Sequence, residues 1–236
     1  MNLVIITGTT TGLGRELARA LLNTDHALLL ISRRFQNEQI DAQEKFGDRI
    51  ALMQIDLRMS DLTAFEKCLS QMLLKHSFQQ VVCIFNAAVI YPLGQLGKLD
   101  ISEMLAAVQV NLFAPMVFAD TLLRIIPSEI SLKLINISTG AAIHAIPGWS
   151  VYCASKAGAR MFFDVAALEA QRIGRVVTVQ HLDPGVMDTP MQQRIREADA
   201  TVFPTRTQFI EYFESGKLRR PADVALEFLQ REGLLA

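Results

Sequence analysis

Short runs of apolar residues recur along this chain, and longer amphipathic segments separate them. The runs are five to seven residues long and rich in Val, Ile and Leu, which is typical of strands buried on both faces of a parallel sheet. Helices between such strands produce βαβ units with right-handed crossovers. The predicted strands cover residues 3–7, 27–32, 50–55, 80–86, 133–138 and 175–181, and the predicted helices cover 12–23, 36–46, 60–76, 100–126 and 151–173.

This alternation predicts an α/β fold in which helices cover both faces of a doubly wound parallel sheet. A chain of 236 residues is within the range of one such domain, and no linker or repeat divides residues 1–236. Beyond Pro184 the alternation weakens, and residues 187–216 are predicted to form a lid over the substrate with short helices at 187–200 and 207–215. Pro221 suits the first turn of a last helix that ends near Arg231.

The overall composition excludes several classes of protein. Half of the residues are hydrophobic, which is incompatible with a disordered or low-complexity chain. The net charge of -1 provides no field to hold the chain on nucleic acid or an anionic membrane. The longest apolar stretch, 104–118, contains Gln109, Asn111 and Pro115 and is shorter than the roughly 18 to 20 apolar residues of a spanning helix. We therefore expect neither a nucleic-acid nor a membrane partner.

The cysteines and the N-terminus indicate the compartment. Cys68, Cys83 and Cys153 are an odd number of widely spaced residues, without the paired spacing of a disulfide framework or a metal site. The N-terminus lacks a basic segment followed by a long apolar run, so no signal peptide is predicted. We expect a soluble, cytoplasmic protein that binds no metal.

A glycine-rich turn follows the first predicted strand and begins the first predicted helix. Glycines there let backbone N–H groups approach a pyrophosphate, and the helix N-terminus favours the anion. A glycine-rich turn with no ligand is the alternative, and the strand before and helix after it favour the dinucleotide interpretation. The residues predicted to contact the cofactor here are Gly8, Thr10, Thr11, Gly12, Leu13 and Gly14.

Two arginines follow the second strand, about 20 residues after the turn. An enzyme that uses NAD places an acidic residue there to bind the ribose 2′-OH. Ser32 is followed instead by Arg33 and Arg34, and a guanidinium can bind a 2′-phosphate with two hydrogen bonds. The sequence therefore favours NADP(H) over NAD(H), although such a pair could also belong to a solvated loop.

Tyr152 and Lys156 are four residues apart at the start of a predicted helix, which places both on one face. A nearby ammonium is expected to lower the pKa of the phenol towards the working pH, as proton transfer requires. Alone, such a pair is more often a surface feature. Ser138 ends the fifth predicted strand and returns to the same edge, where its hydroxyl could donate to a substrate oxygen.

In these motifs the chain resembles the short-chain dehydrogenases/reductases, from Met1 to about Arg231. The resemblance implies a Rossmann-like fold and a catalytic set of Ser138, Tyr152, Lys156 and Asn111, the last holding a water in the proton relay. Tyr152 and Lys156 would also contact the cofactor. Further implied cofactor contacts are Asp56 and Leu57 at the adenine, Asn86, Ala87 and Ala88 (where Ala88 replaces the usual Gly), and Pro184, Gly185, Val186 and Thr189 at the nicotinamide carboxamide.

Within the family, residues 136–195 are most similar to the sepiapterin reductases and bacterial benzil reductases. Sepiapterin reductases continue into a last strand whose aspartate anchors the pterin, and this sequence has no counterpart before its end at Ala236. We therefore expect the sheet to lack that strand and the substrate to be a vicinal diketone rather than a pterin. Trp149, Met187 and Met191, with Phe203 and Tyr212, are predicted to form an apolar substrate pocket.

The expected activity is NADPH-dependent reduction of a ketone or vicinal diketone, with Tyr152 as proton donor. The alternatives are a sepiapterin or other pterin reductase, and a non-catalytic regulator that senses NADP(H). The resemblance also implies a homodimer or homotetramer that packs through the helices at 100–126 and 151–173.

Overall fold

The computed structural model describes residues 1–58 and 61–235. Its strands are β1 (Asn2–Thr7), β2 (Ala27–Ser32), β3 (Ile50–Gln54), β4 (Gln80–Phe85), β5 (Ser131–Ile137) and β6 (Val177–Leu182). All five strand pairings are parallel, and the order across the sheet is β3-β2-β1-β4-β5-β6. This confirms the doubly wound parallel sheet. The order reverses between β1 and β4, so a ligand crevice is expected outside the carboxyl ends of these strands.

The helices are α1 (Gly12–Leu21), α2 (Asn37–Phe46), α3 (Thr63–Lys75), α4 (Ile101–Val108), α5 (Ala114–Ile125), α6 (Ser150–Arg172), α7 (Pro190–Arg196), α8 (Arg206–Glu214) and α9 (Pro221–Arg231). The predicted helix over 60–76 starts on Ser60, which lies outside the described residues. Strand β6 begins two residues later than expected because Arg175 precedes it and donates hydrogen bonds to the carbonyls of Leu123 and Ile126 at the end of α5.

Burial on both sheet faces explains why the strands read as continuous apolar runs. In β1, Leu3 and Ile5 lie in a core cluster with side chains of α3, α5 and α6. Val4 and Ile6 face the other way and pack with side chains of α1 and α9. The two faces thus have separate cores, and the strand ends are left to present polar residues at the carboxyl edge of the sheet.

Helices α4 and α5 form one continuous helical segment, joined by a π-helical turn at Gln109–Phe113. Asp100 caps its start by accepting a 3.0 Å hydrogen bond from the N–H of Glu103. By length and composition, Ile101–Ile125 could cross a membrane, so the expectation that this region is too short is wrong on those grounds. Phe118 and Leu122 of this segment lie in the core, whereas Ile101 and Leu105 near its start are exposed, so the segment is buried only in part.

Candidate active site

The glycine-rich turn between β1 and α1 has the close approaches that its sequence predicts. Gly8 and Gly12 have φ of +76° and +58°, which favours glycine. A Cβ on Gly14 would lie 2.2 Å from the carbonyl oxygen of Gly8, so only glycine lets the helix start this close to the turn. Asn86, after β4, donates from Nδ2 to the carbonyls of Thr7 and Gly8 at 3.0 Å each. The expected cofactor residue Asn86 therefore holds the turn in shape.

Two glutamines that the sequence analysis missed also hold this turn. Gln39 is fully buried, and its Nε2 donates to the carbonyl of Thr9 at 3.0 Å. Gln36 donates from Nε2 to the carbonyl of Thr10 at 2.9 Å, and its backbone N–H donates to Oε1 of Gln39 at 3.0 Å. These carbonyls are fixed, which leaves the N–H groups of the turn oriented for an anion.

The end of β2 is tied to the same turn. Thr10 Oγ1 donates to the carbonyl of Arg34 at 2.9 Å and lies 2.5 Å from Ser32 Oγ. Because the proton of Thr10 is used on Arg34, Ser32 is the donor in the second contact. Arg33 and Arg34 are exposed beside the turn, where the sequence analysis placed a 2′-phosphate contact.

Asp56, after β3, is held by a residue that the sequence analysis missed. The guanidinium of Arg58 binds both carboxylate oxygens, with Nη2 2.5 Å from Oδ2 and Nε 3.0 Å from Oδ1. The hydrogen bond from Arg58 lowers the pKa of Asp56 to about 2, and the charge of Arg33 contributes. Asp56 is therefore ionised at neutral pH, and Leu57 beside it is half-buried.

The fourth strand places its expected cofactor residues against the turn. The backbone N–H groups of Asn86 and Ala87 both donate to Thr7 Oγ1 at 3.1 Å. A Cβ on Gly8 would lie 2.8 Å from the Cα of Ala87, so the two segments are in contact. Ala88 follows in a half-buried position. Their proximity to the cofactor stays a prediction.

Lys156 and Tyr152 lie buried on α6, next to the end of β5. Lys156 Nζ donates at 2.9 Å to the carbonyl of Ile137, which belongs to the peptide bond that leads to Ser138. Ser138 is buried, and its Oγ has no hydrogen-bond partner among the described residues. A buried hydroxyl without a partner is costly, and a substrate oxygen would satisfy it. Lys156 is therefore tied to the end of β5 beside Ser138, and Tyr152 lies one helical turn before it on α6.

The charges in this site differ from the expectation for Tyr152. Burial raises the pKa of the phenol well above its usual value, and the negative charge of Asp183 adds to the rise. The expectation of a lowered pKa for this phenol is therefore wrong for this structure, in which burial is the largest effect and raises it. Burial lowers the pKa of Lys156 to about 8. Tyr152 is therefore a neutral phenol, the form that can donate a proton.

Asn111 lies in the π-helical turn, and its side chain is fully engaged. Oδ1 accepts from the N–H of Val89 and Nδ2 donates to the carbonyl of Val89, both at 2.8 Å. Nδ2 also approaches Ser155 Oγ at 3.2 Å, and Ser155 donates to the carbonyl of Tyr152 at 2.9 Å. The side chain thus joins the π turn to α6, and the predicted water contact stays a prediction. π turns of this kind often mark functional sites.

The loop after β6 returns to the glycine-rich turn. A Cβ on Gly12 would lie 3.4 Å from Cγ2 of Thr189, which places the loop of residues 184–189 across the start of α1. The loop is held by a second segment, since Arg219 donates its N–H to the carbonyl of Val186 and accepts from the N–H of Asp188, each at 3.0 Å. The predicted nicotinamide loop and the pyrophosphate turn are therefore neighbours.

Aromatic side chains from the predicted lid pack around Trp149 and Tyr152. Trp149 meets Tyr152 edge-on, with centroids 5.4 Å apart, and stacks on Phe203 at 5.0 Å. Phe209 of α8 lies 5.4 Å from Trp149, and Met191 packs against the same cluster. Tyr212 meets Phe209 at 6.1 Å on the outer side. Met187 packs instead with the core beside α1 and α9, so the structure does not bring it to this cluster.

Comparisons with known proteins agree with this arrangement. Residues 2–200 match the protein family described as short chain dehydrogenase. The chain is 33% identical to a benzil reductase ((S)-benzoin forming) of Bacillus cereus over 228 residues, covering 95% of this chain and 91% of that protein. It is 30% identical to sepiapterin reductase of Bos taurus, covering 83% of this chain and 76% of that protein.

One solved structure is similar to this chain in both fold and sequence. The crystal structure of a short-chain dehydrogenase/reductase from Burkholderia vietnamiensis matches with a TM-score of 0.69 and 30% identity. The match covers 85% of this chain and 93% of that protein. The likeness thus extends over most of the sheet and its helices.

Proposed function

Because the chain belongs to the short-chain dehydrogenase family, we propose that it is an NADPH-dependent carbonyl reductase that acts on ketones and vicinal diketones. Its membership of the family and its benzil reductase relatives indicate an oxidoreductase that acts on CH–OH or C=O groups. The observation that carries the finer proposal is the buried group of Ser138, Tyr152 and Lys156 at the carboxyl edge of β5. In that group a neutral phenol and an unpaired hydroxyl are available to one carbonyl oxygen.

The proposed division of labour follows from these side chains. Ser138 Oγ donates a hydrogen bond to the carbonyl oxygen and orients it. NADPH, when bound, supplies the hydride to the carbonyl carbon. Tyr152 donates its proton to the oxygen as negative charge develops there, which completes the alcohol. Lys156 provides positive charge within one helical turn of the phenol. Asn111 holds α6 in place through its hydrogen bond to Ser155.

Two observations favour an aromatic or otherwise apolar diketone over a pterin. The wall beside Tyr152 consists of Trp149, Phe203, Phe209 and Met191, which suits apolar substituents. The benzil reductase of Bacillus cereus matches the chain over 91% of its length, against 76% for the sepiapterin reductase of Bos taurus. Absorbance of NADPH with a panel of ketones, diketones and sepiapterin tests the proposal. Sepiapterin as the preferred substrate would favour the pterin alternative.

The preference for NADPH is proposed from Arg33 and Arg34, and Arg33→Asp tests it. Loss of a charged contact with the 2′-phosphate is expected to weaken NADPH binding roughly 10- to 100-fold. NADH binding is expected to be unchanged or stronger, since the new carboxylate can accept from the ribose 2′-OH. Fluorescence titration of both cofactors measures the two dissociation constants.

A matched control separates this contact from the change in net charge. Lys67→Asp makes the same charge change at an exposed position on α3, and both dissociation constants should stay close to those of the native chain. Equal affinity of the native chain for NADH and NADPH would contradict the proposed preference.

We also propose a homo-oligomer, because apolar side chains are exposed on the helices that the sequence analysis assigned to subunit contacts. Those on the segment from α4 to α5 and on α6 are Ile101, Leu105, Val108, Phe113, Met161, Val165 and Leu168. Burial of this stripe between two copies would explain the apolar character of α4 and α5 without a lipid bilayer. We propose neither a membrane nor a nucleic-acid partner.

Leu168→Glu should dissociate the oligomer, since it would bury a charge in an apolar interface. Leu168 is 61% exposed in the single chain, so the substitution should not affect its folding. Light scattering is expected to show at least two chains for the native protein and one chain for the variant. Leu74→Glu, at a leucine that is 87% exposed on α3, is the control and should keep the native mass. A native protein that is monomeric at micromolar concentration would contradict the proposal.

A cytoplasmic location is proposed from the free thiols of Cys68, Cys83 and Cys153, which suit a reducing compartment. The remaining alternative, a regulator that senses NADP(H), is less favoured because a sensor has no need of a buried phenol and lysine. Tight NADPH binding without oxidation by any carbonyl compound in the panel would favour the sensor.

A further inference from the structure

Trp149 carries a polar atom that the proposed mechanism does not use. Its side chain is 4% exposed, and its Nε1–H has no hydrogen-bond partner among the described residues. An indole nitrogen can only donate, and a buried indole normally finds an acceptor. Leaving such a donor unpaired is costly, so the position indicates an acceptor that arrives with a ligand.

The placement of Trp149 limits which ligand this can be. The indole meets Tyr152 edge-on at 5.4 Å and is fixed on its face by Phe203 at 5.0 Å. Ser138 Oγ is a second unpaired buried donor, next to the carbonyl that binds Lys156, and it is assigned to the reacting carbonyl. Ser138 Oγ and Trp149 Nε1 are therefore two donors that each need an acceptor. A monoketone has one carbonyl oxygen and can satisfy only one of them.

We propose that the Trp149 indole N–H donates a hydrogen bond to the second oxygen of a vicinal dicarbonyl substrate, and so selects dicarbonyls over monoketones. This inference rests on the proposed carbonyl reductase activity and specifies its substrate class. Gln192 Oε1 is also buried and unpaired near Phe209, but it is an acceptor and cannot bind a carbonyl oxygen. Ser150 Oγ, on the next residue, is buried and unpaired too. The selecting contact is assigned to Trp149 because its indole packs directly against Tyr152.

The experiment compares two substrates that differ by one oxygen. Benzil has two adjacent carbonyls, and 1,2-diphenylethanone has the same skeleton with one of them. For the native chain we expect kcat/KM for benzil to exceed that for the monoketone, and Trp149→Phe should lower this ratio about tenfold. This substitution keeps one aromatic ring against Phe203 and Tyr152, and it removes the N–H donor together with the second ring of the indole.

Phe209→Leu is the matched control for altered packing. It changes an apolar neighbour of Trp149 that carries no donor and does not stack on the indole, so the ratio of the two kcat/KM values should stay close to native even if both values fall. A ratio that Trp149→Phe leaves unchanged, or that Phe209→Leu lowers equally, overturns the inference while the reductase proposal stands. Failure of the native chain to reduce any carbonyl compound is a failure of the proposed function.

A second measurement needs no variant. The sequence contains one tryptophan, so a ¹H–¹⁵N spectrum has a single indole cross-peak. Bound NADP⁺ cannot donate hydride, and benzil can therefore be added without turnover. We expect the indole proton to shift downfield with benzil and to shift less with 1,2-diphenylethanone. Equal shifts with both compounds would overturn the inference.

Discussion

Tyr152→Phe is expected to lower kcat for every carbonyl substrate by about 10²- to 10⁴-fold, because the variant lacks the proton donor. The change removes one oxygen from a buried phenol and leaves the ring that packs against Trp149. The glycine-rich turn and its supporting side chains are untouched, so NADPH binding should persist. Steady-state kinetics and a fluorescence titration of NADPH measure the two quantities on one preparation.

The control for this result is the same chemical change at another tyrosine. The Tyr212 hydroxyl accepts a 2.8 Å hydrogen bond from Gln208 at the outer side of the aromatic cluster, away from Lys156. Tyr212→Phe should therefore keep most of the native activity. Near-native turnover by Tyr152→Phe would show that the proton comes from another group, and the proposed mechanism would have to be abandoned.

Gly14→Ala is expected to disrupt the cofactor site and to destabilise the fold. The new methyl would lie 2.2 Å from the carbonyl oxygen of Gly8 and 2.3 Å from Nδ2 of Asn86. Neither group can move freely, since Asn86 is bonded to the carbonyls of Thr7 and Gly8. Overpacking of about 1 to 3 kcal/mol would lower Tm by roughly 2 to 12 °C.

The loss of NADPH affinity should accompany the loss of stability, because the displaced carbonyl belongs to the turn that presents N–H groups to phosphate. Gly140→Ala is the control, since a Cβ there would meet nothing closer than His144 at 3.9 Å and its φ is not positive. Calorimetry and cofactor titration should separate the two variants clearly. Native affinity for NADPH in Gly14→Ala would show that this turn does not bind the cofactor.

The strands could be predicted from the sequence alone, because strands buried on both faces consist of runs of Val, Ile and Leu. The close approach at Gly14 could be predicted from its residue type, and the shared helix face of Tyr152 and Lys156 from their spacing. The prediction that Trp149 faces the substrate depends on its place three residues before Tyr152, and it stays a prediction.

Other features depend on distances that a linear pattern does not contain. Gln36 and Gln39 bind backbone carbonyls 26 and 30 residues away. From the sequence alone, a polar residue at the start of α2 is expected to be exposed to solvent. The π turn around Asn111 is a shift in backbone hydrogen bonding without a distinctive composition. The raised pKa of Tyr152 reflects its burial and the charge of Asp183, which lies 31 residues away along the chain.

The attachment of α2 to the glycine-rich turn has a consequence for redesign of cofactor preference. Thr10, Gln36 and Gln39 join the segment that follows β2 to the backbone of the turn by side-chain hydrogen bonds. An exchange of this whole segment with that of an NAD-dependent enzyme would therefore also remove the supports of the pyrophosphate loop. Substitutions confined to Arg33 and Arg34 would alter the choice of nucleotide and leave those supports in place.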